Sequence, residues 1–325
     1  EAAKCGIKVY PLNFTGYFHP AKILKAINIL KENNFDIIHS GYSKDLWLLV
    51  PALKFSGIKC PLLLSKHMGS YIVKKDFMHK WIYSRVNFAL AISNVIAKNL
   101  VDTTPLTKEK VLLLHNGIDT TKFDPSKIDS KKVRAEFDIK HDDLLIGMIA
   151  RFSPGKGHEE FLKSAQLLMD KYYNLRFMIV GEPSKGEDEY FKSVKFLAEE
   201  LKLTDKIIFT GFRKDTPEIL AAMDIFVFPS HAEAFGIALV EAMSMGKPTI
   251  CSNSDGVLDI AVNDVTSYLF EKQNWKDLSA KIEMLIKSSD LRKSFGLEGR
   301  KRAVQMFDMK VFTNRLIDIY SNVIV

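Results

Sequence analysis

Cysteine is scarce in this chain. There are three among 325 residues (Cys5, Cys60 and Cys251), odd in number, far apart and without C-x-x-C spacing. That excludes a disulfide framework and a thiolate metal site, and it fits a reducing cytoplasm. Long apolar runs are missing too, since none approaches the ~18–20 residues of a membrane-spanning helix. The opening Glu1-Ala2-Ala3-Lys4 leads into a polar stretch, unlike a secretory leader. Acidic residues are thin in the first third. Residues 1–120 hold 16 Lys/Arg against 8 Asp/Glu, whereas the rest holds 30 against 31, so the net charge of +7 belongs to the N-terminal part. Between Pro51 and Leu100 eight basic residues face one acid, Asp76. A field localised in this way gathers anionic partners at one surface. No nucleic-acid motif accompanies it, so nucleic acid is not an expected partner.

What is present is globular: 47% hydrophobic and 26% charged residues, in a chain long enough for two domains. Short apolar strands alternate with amphipathic helices, the pattern of α/β domains with parallel sheets. Strands are predicted at Ile7–Leu12, Ile37–Ile38, Leu62–Leu64, Ala89–Ile92 and Val111–Leu114, then at Leu144–Ala150, Phe177–Val180, Ile207–Thr210, Ile225–Phe228 and Thr249–Cys251. Helical periodicity fills Ala21–Leu30, Asp45–Phe55, Tyr71–Val86 and Asn94–Val101, then Glu159–Tyr172, Glu189–Leu201, Ile237–Met245, Trp275–Lys287 and Leu291–Met306. A polar stretch from Asp119 to Asp142 reads as the connection between domains. Ser93 is placed to cap the helix that follows it.

One segment carries more chemistry than the rest. A strand ends at Pro229-Ser230; a loop brings Glu233; Phe235-Gly236-Ile237 opens an apolar helix, and Glu241 lies inside that helix. At the helical rise the two carboxylates are roughly 7–10 Å apart along the axis. Two acids so spaced can grip the ends of an elongated ligand whose middle lies over the helix N-terminus, as a sugar nucleotide would. Glu233 and Glu241, with Pro229-Ser230 before them and Gly246-Lys247-Pro248 after, resemble the glutamate-x7-glutamate signature of retaining glycosyltransferases of family 4, the glycosyltransferases group 1 with the GT-B fold. The join His115-Asn116-Gly117-Ile118-Asp119, with Phe123 and Pro125, resembles the place where that family leaves its first domain.

A second anchor lies between Leu145 and His158, where a strand passes through a loop to a helix. Arg151 and Lys156 fall beyond the carboxyl end of that strand, where open parallel sheets bind ligands. An Arg fork and a Lys point charge suit a diphosphate leaving group, and the run resembles the family's G-R-L-x-x-x-K-G element with Ala150 in place of its glycine. Two other glycine patterns fail. Gly155-x-Gly157 meets Glu160 where a dinucleotide fingerprint needs Gly or Ala, and in Gly181…Gly186 a Glu187 replaces the lysine of a phosphate loop. Gly181 resembles a family position near the nucleotide, and Gly211-Phe212-Arg213 resembles its base-binding strand end.

The resemblance implies two Rossmann-like doubly wound parallel-sheet domains facing across a cleft. The expected limits are residues 1–120 on the acceptor side, 121–306 for the nucleotide sugar, and 307–325 as a helix crossing back. The first domain is expected to lack the family's first strand, glycine-rich loop and helix. The implied reaction moves a hexose, with retention, from a nucleoside-diphosphate sugar to a glycan or glycolipid acceptor in envelope polysaccharide or lipopolysaccharide synthesis. An anionic acceptor would fit the basic first domain. Glu233 would hold hexose hydroxyls and Glu241 the ribose, while amides from Phe235 to Ile237 would receive the diphosphate. His67, after the strand Leu62–Leu64, would reach the reaction centre. Catalytic roles thus fall on Glu233, His67, Arg151 and Lys156. With no Asp-x-Asp in the sequence, no metal and no cofactor is expected. Asp255 to Asp259 departs from the family's G-G-x-x-E, which bears on donor choice. The helix predicted over Tyr71–Val86, with Lys74, Lys75, Lys80 and Arg85, is either core or a helix lying on anionic lipid. The implied location is cytoplasmic, with peripheral contact to the inner face of the membrane. The alternatives are an inactive transferase-like binding module and a sugar-nucleotide epimerase of the same architecture; a Rossmann oxidoreductase fits least.

Overall fold

The structure, a computed structural model, describes residues 2–14, 16–17, 19–204 and 206–324. Glu1 and Val325, the outer limits of the expected domains, lie outside the described residues. The chain forms two compact units, Glu1–Leu114 with Leu316–Val325, and His115–Arg315.

The first unit has a four-stranded parallel sheet, β1 (Ile38–Ser40), β2 (Leu62–Lys66), β3 (Phe88–Ala91) and β4 (Val111–Leu113), in the order β1-β2-β3-β4. Helices α1 (Pro20–Glu32), α2 (Leu46–Ser56), α3 (Phe77–Tyr83) and α4 (Asn94–Thr103) lie between the strands and before them. Ser93 does cap α4, accepting from the Ile96 amide at 3.4 Å. Two expectations are corrected. Residues 7–12 form no strand, because no neighbour among the described residues offers them a ladder, and Ile7 and Val9 are exposed. A run with period-2 apolarity becomes a strand only when an edge receives its hydrogen bonds. Nor is Tyr71–Val86 one helix, for only Phe77–Tyr83 is helical. Asp76 caps it by accepting from the His79 amide at 3.1 Å. Upstream, the Ser70 and Lys74 amides donate instead to Asn99 Oδ1 (2.8 Å) and to the Thr103 carbonyl (2.6 Å), so backbone groups that a longer helix would use are committed to α4.

The second unit holds α5 (Lys131–Glu136), β5 (Leu144–Ile149), α6 (His158–Met169), β6 (Leu175–Val180), α7 (Asp188–Glu200), β7 (Ile207–Phe209), α8 (Thr216–Ala222), β8 (Ile225–Phe228), α9 (Ile237–Ser244), β9 (Thr249–Ser252), β10 (Ser267–Phe270), α10 (Trp275–Lys287) and α11 (Ser289–Phe307). Its six strands are all parallel, in the order β10-β9-β8-β5-β6-β7. The chain steps outward from β5 through β7, returns to place β8 on the other side of β5, and steps outward again. Right-handed crossovers therefore put helices on both faces. This explains the unbroken apolar strands, since Ile225–Phe228 and Thr249–Ser252 are buried at every position. Each fully buried Ile, Phe or Leu contributes on the order of 1.5–3 kcal/mol through area removed from water. Two parallel-sheet α/β units are observed, as expected of a GT-B chain, but among the described strands only the second sheet is doubly wound, because the first runs β1-β2-β3-β4 without a reversal.

The unit boundary falls at Leu114 rather than at 120, for a physical reason. The Ile118 amide donates to the Phe307 carbonyl and the Met309 amide to the Ile118 carbonyl, each at 2.8 Å, and Thr120 donates to Asp308. The Asn-Gly join is thus stitched to the turn between α11 and α12 (Met309–Ile324). Residues 307–315 stay with the second unit and Leu316–Val325 groups with the first. There Tyr320 Oη meets His39 Nδ1 at 2.5 Å.

Candidate active site

Because every strand of the second sheet points the same way, its carboxyl ends share one edge. The winding reverses between β5 and β8, and at such a reversal the loops diverge and leave a crevice. The loop after β5 carries Arg151 and Lys156; the loop after β8 carries Glu233. At this reversal the Lys156 ammonium pairs directly with the Glu233 carboxylate, their side chains only 19% and 18% exposed. These residues are 77 positions apart in sequence, and both were expected on one ligand.

The two loops are held by neighbours that leave little play. Phe152 is buried, stacked on the His158 ring at 4.4 Å and edge-on to Phe191 at 4.6 Å. The His231 amide donates to the Gly155 carbonyl at 2.8 Å, tying one loop to the other. Burial, and next the Lys156 charge, hold the His158 imidazole down at about 4, so it stays neutral and acts as a packing ring. Gly157 has φ +79°, and a Cβ there would lie 2.3 Å from the Pro229 carbonyl oxygen. Gly157→Ala is therefore expected to destabilise the second unit by about 2 kcal/mol or more. The check is thermal unfolding, where a wild-type melting temperature would contradict the contact.

At the same carboxyl edge of the sheet lies a cavity of about 350 Å³, lined among others by Ile149, Arg151, Gly181, Ser184, Phe212 and Arg213. Four residues singled out in the sequence thus converge on one hollow. A larger hollow of about 450 Å³ sits at the opposite, amino edge by Asp143, Leu175 and Lys206, where no such residues gather. Gly181 (φ +147°) lets the β6 end pass under β5, since a Cβ would sit 2.0 Å from the Ala150 carbonyl oxygen. Arg151 is exposed and makes no ion pair among the described residues. Phe212 is 61% exposed, an open ring face. Arg213 is different. It donates to both Glu136 oxygens and both Asp215 oxygens, the latter at 2.8 and 2.7 Å. Those bonds raise its already high pKa further. Its fork is spent on bracing the wall, so it shapes the cavity rather than offering a free cation.

Helix α9 begins at Gly236, whose side chain cannot cap it, and the amides of the first turn have no intrahelical acceptor. Ile237 at this turn is 48% exposed, whereas Phe235 is buried and stacks on His115 at 5.8 Å. Phe235 thus fixes the entry angle of the helix. Glu241, one turn on, is half-buried, and its carboxyl has no hydrogen-bond partner among the described residues. Burial pushes its carboxyl up to about 7, with the Lys122 charge opposing in part. The divergent segment Asp255–Asp259 buttresses Glu233: the Gly256 amide donates to the Glu233 carbonyl at 3.0 Å.

His67 stands one residue beyond β2, exposed, in the first unit. It lies near His39, whose imidazole is held below its ordinary value by burial and then by the His67 charge. Sequence reasoning passed over His231, which bonds Glu160 at 3.0 Å and Gln273 at 3.1 Å beside Gly155. The one available signal was its position in the same loop as Glu233.

Residues 129–302, more than half of the chain, match the family described as Glycosyl transferases group 1, and residues 2–122 match Glycosyltransferase Family 4. The chain belongs to the group 1 glycosyltransferases. The capsular polysaccharide biosynthesis glycosyltransferase CapM of Staphylococcus aureus is 28% identical over 237 residues, 71% of this chain and 60% of that protein. The N,N'-diacetylbacillosaminyl-diphospho-undecaprenol alpha-1,3-N-acetylgalactosaminyltransferase of Campylobacter jejuni is 27% identical over 321 residues, 95% of this chain and 81% of that protein. Among solved structures, HepE of Anabaena in complex with UDP and glucose superposes with a TM-score of 0.81 at 21% identity, over 98% of this chain and 88% of that one.

Among the described residues no helix is long and apolar enough to cross a membrane.

Proposed function

We propose that this group 1 glycosyltransferase transfers a hexose, with retention of configuration, from a nucleoside-diphosphate sugar to a lipid-linked or polymeric glycan of the cell envelope. One observation carries the reading. At the β5–β8 reversal a cation and a carboxylate from separate loops meet beside the opening of α9. A diphosphate arriving there exchanges Glu233 for itself as the partner of Lys156, and Glu233 is released to accept from sugar hydroxyls. Arg151, on the cavity wall at the same sheet edge, adds a second positive charge. Charge that develops on the leaving diphosphate then meets fixed donors, which need no rearrangement during the reaction. The open Phe212 ring face at the cavity suits a base, and Glu241 suits the ribose hydroxyls. UDP and glucose in the Anabaena neighbour support the donor class, and the diphospho-undecaprenol in the Campylobacter relative's name supports a lipid-linked acceptor.

The test is transfer from a panel of nucleoside-diphosphate sugars, with the anomeric configuration of the product read by NMR. An α product from an α donor is expected; inversion would refute the retaining reading, and donor turnover to an isomer without acceptor would favour an epimerase. Two protein cations take the role that a metal fills elsewhere, so EDTA is expected to leave the transfer rate unchanged. A rate lost to chelation and restored by Mg²⁺ or Mn²⁺ would overturn that part.

A further inference from the structure

The first unit carries a built site that the donor chemistry does not use. A cavity of about 400 Å³ is lined among others by Ser43, Lys44, Trp47, Ile72, Lys74 and His79. Lys66, at the end of β2, reaches Ser43 at its edge, Nζ donating to Oγ at 3.4 Å. Among the described residues Lys44, Lys66 and Lys74 form no ion pair. Of the nearby carboxylates, Asp76 pairs with the lining residue His79, and Asp45 accepts from the Ser40 hydroxyl at 3.4 Å while feeling the Lys44 charge. Burial first, and then the Lys74 charge, hold the Lys66 ammonium below its ordinary value. Like charges gathered in a partly dry hollow repel one another, and a dianion between them relieves the repulsion. Trp47 closes one side, edge-on to His79 at 5.6 Å.

The segment that brings Ile72 and Lys74 to this cavity is rich in exposed apolar side chains. Met68, Tyr71, Ile72, Val73, Phe77 and Met78 are each between 49% and 103% exposed, within eleven residues. Loose loops hide such side chains by collapsing, but this one is pinned. Asn99 brackets Ser70 with bonds of 2.8 and 2.9 Å, and Lys74 is tied to Thr103. A pinned strip of this kind, continuous with a basic hollow, marks an interaction site. Ile72 and Lys74 belong to both.

We propose that this cavity takes the phosphate or diphosphate of a single-chain amphiphile, with Lys44, Lys66 and Lys74 on its charge and the Met68–Met78 strip along its apolar chain. The inference deepens the transferase reading, on which it rests only for the ligand's role as acceptor; the binding itself stands apart from it. Calorimetry with farnesyl diphosphate, below its micellar concentration and in saturating UDP so that the donor site is filled, is expected to show one saturable, salt-sensitive site. Lys66→Met with Lys74→Met should weaken it roughly tenfold or more. Ile72→Ser with Phe77→Ser should weaken farnesyl diphosphate by a similar factor but leave inorganic diphosphate binding unchanged. Equal affinity for farnesyl diphosphate and inorganic diphosphate would remove the strip from the site. No saturable binding, with phosphatidylglycerol vesicles bound by wild type and lost in the Ile72, Phe77 variant, would make the strip a bilayer contact and overturn the proposal. Binding as expected with no transfer to any phosphorylated acceptor would instead count against the transferase reading and leave this site standing.

Discussion

Lys156→Ala is expected to lower kcat about 10²–10³-fold, and Arg151→Ala with Lys156→Ala by a further factor of about 10–100, because each removes a fixed donor from charge that grows as the sugar leaves. The change should appear in kcat more than in KM, since the leaving diphosphate carries more charge in the transition state than in the bound donor. Folding gives a competing account, because removing Lys156 leaves Glu233 unpaired where it is four-fifths covered. An unpaired, partly buried carboxylate destabilises the fold in its own right. Lys156→Ala with Glu233→Ala separates the two effects: the melting temperature should recover towards wild type while kcat stays low. Steady-state kinetics and thermal unfolding on the same preparations decide. Wild-type kcat/KM in the Arg151, Lys156 double variant would remove both residues from the chemistry.

Glu241→Gln should gain stability and lose affinity. With its carboxyl raised to about 7 by burial, Glu241 binds a proton more tightly in the folded chain than in the unfolded one. Its contribution is fully present below the ordinary glutamate range, near pH 4.5, and is lost as pH rises through about 7. A shift of that size corresponds to about 3 kcal/mol at 1.36 kcal/mol per unit. Above pH 7.5 the glutamine variant should therefore melt several degrees higher than wild type, with the difference vanishing near pH 4.5. Ribose hydroxyls donate to a carboxylate and not to a carboxylic acid's O–H, so donor binding should expel the proton. Affinity for the nucleotide sugar should fall by about tenfold per unit below pH 7, and calorimetry in buffers of different ionisation enthalpy should register close to one proton released. In the glutamine variant that pH dependence should disappear and binding weaken. A pH-independent wild-type affinity would separate Glu241 from the ligand.

The second unit was largely legible in the sequence, and for a specific reason. Its strands are buried on both faces and its helices on one, so the apolar patterns of Ile225–Phe228 and Trp275–Lys287 delimit those elements to the residue. The edge strand β10, which opens on a polar Ser267, and the seven-residue helix α8 escaped notice. The first unit was less transparent. Ile7–Leu12 alternates like a strand but lacks a partner edge, and Tyr71–Val86 has helical spacing although Asn99 and Thr103 capture its backbone. Both failures come from hydrogen-bond partners distant in sequence. The same holds for the site. That Lys156 and Glu233 share one region followed from strand ends; their direct pairing did not, and the commitment of Arg213 to Glu136 and Asp215 depends on a helix that the linker composition concealed.

The contact between Lys156 and Glu233 has a consequence for selectivity. A vacant pocket holding an uncompensated ammonium would be blocked by any passing inorganic anion. Here the resting counterion is part of the protein, so a bare phosphate must evict a carboxylate and leave it with nothing to accept. A ligand bearing both an anionic centre and a ring of hydroxyls satisfies the displaced group as it enters. On the proposed donor reading, discrimination against incomplete ligands is set by one internal exchange of partners, before any contact with the base is made.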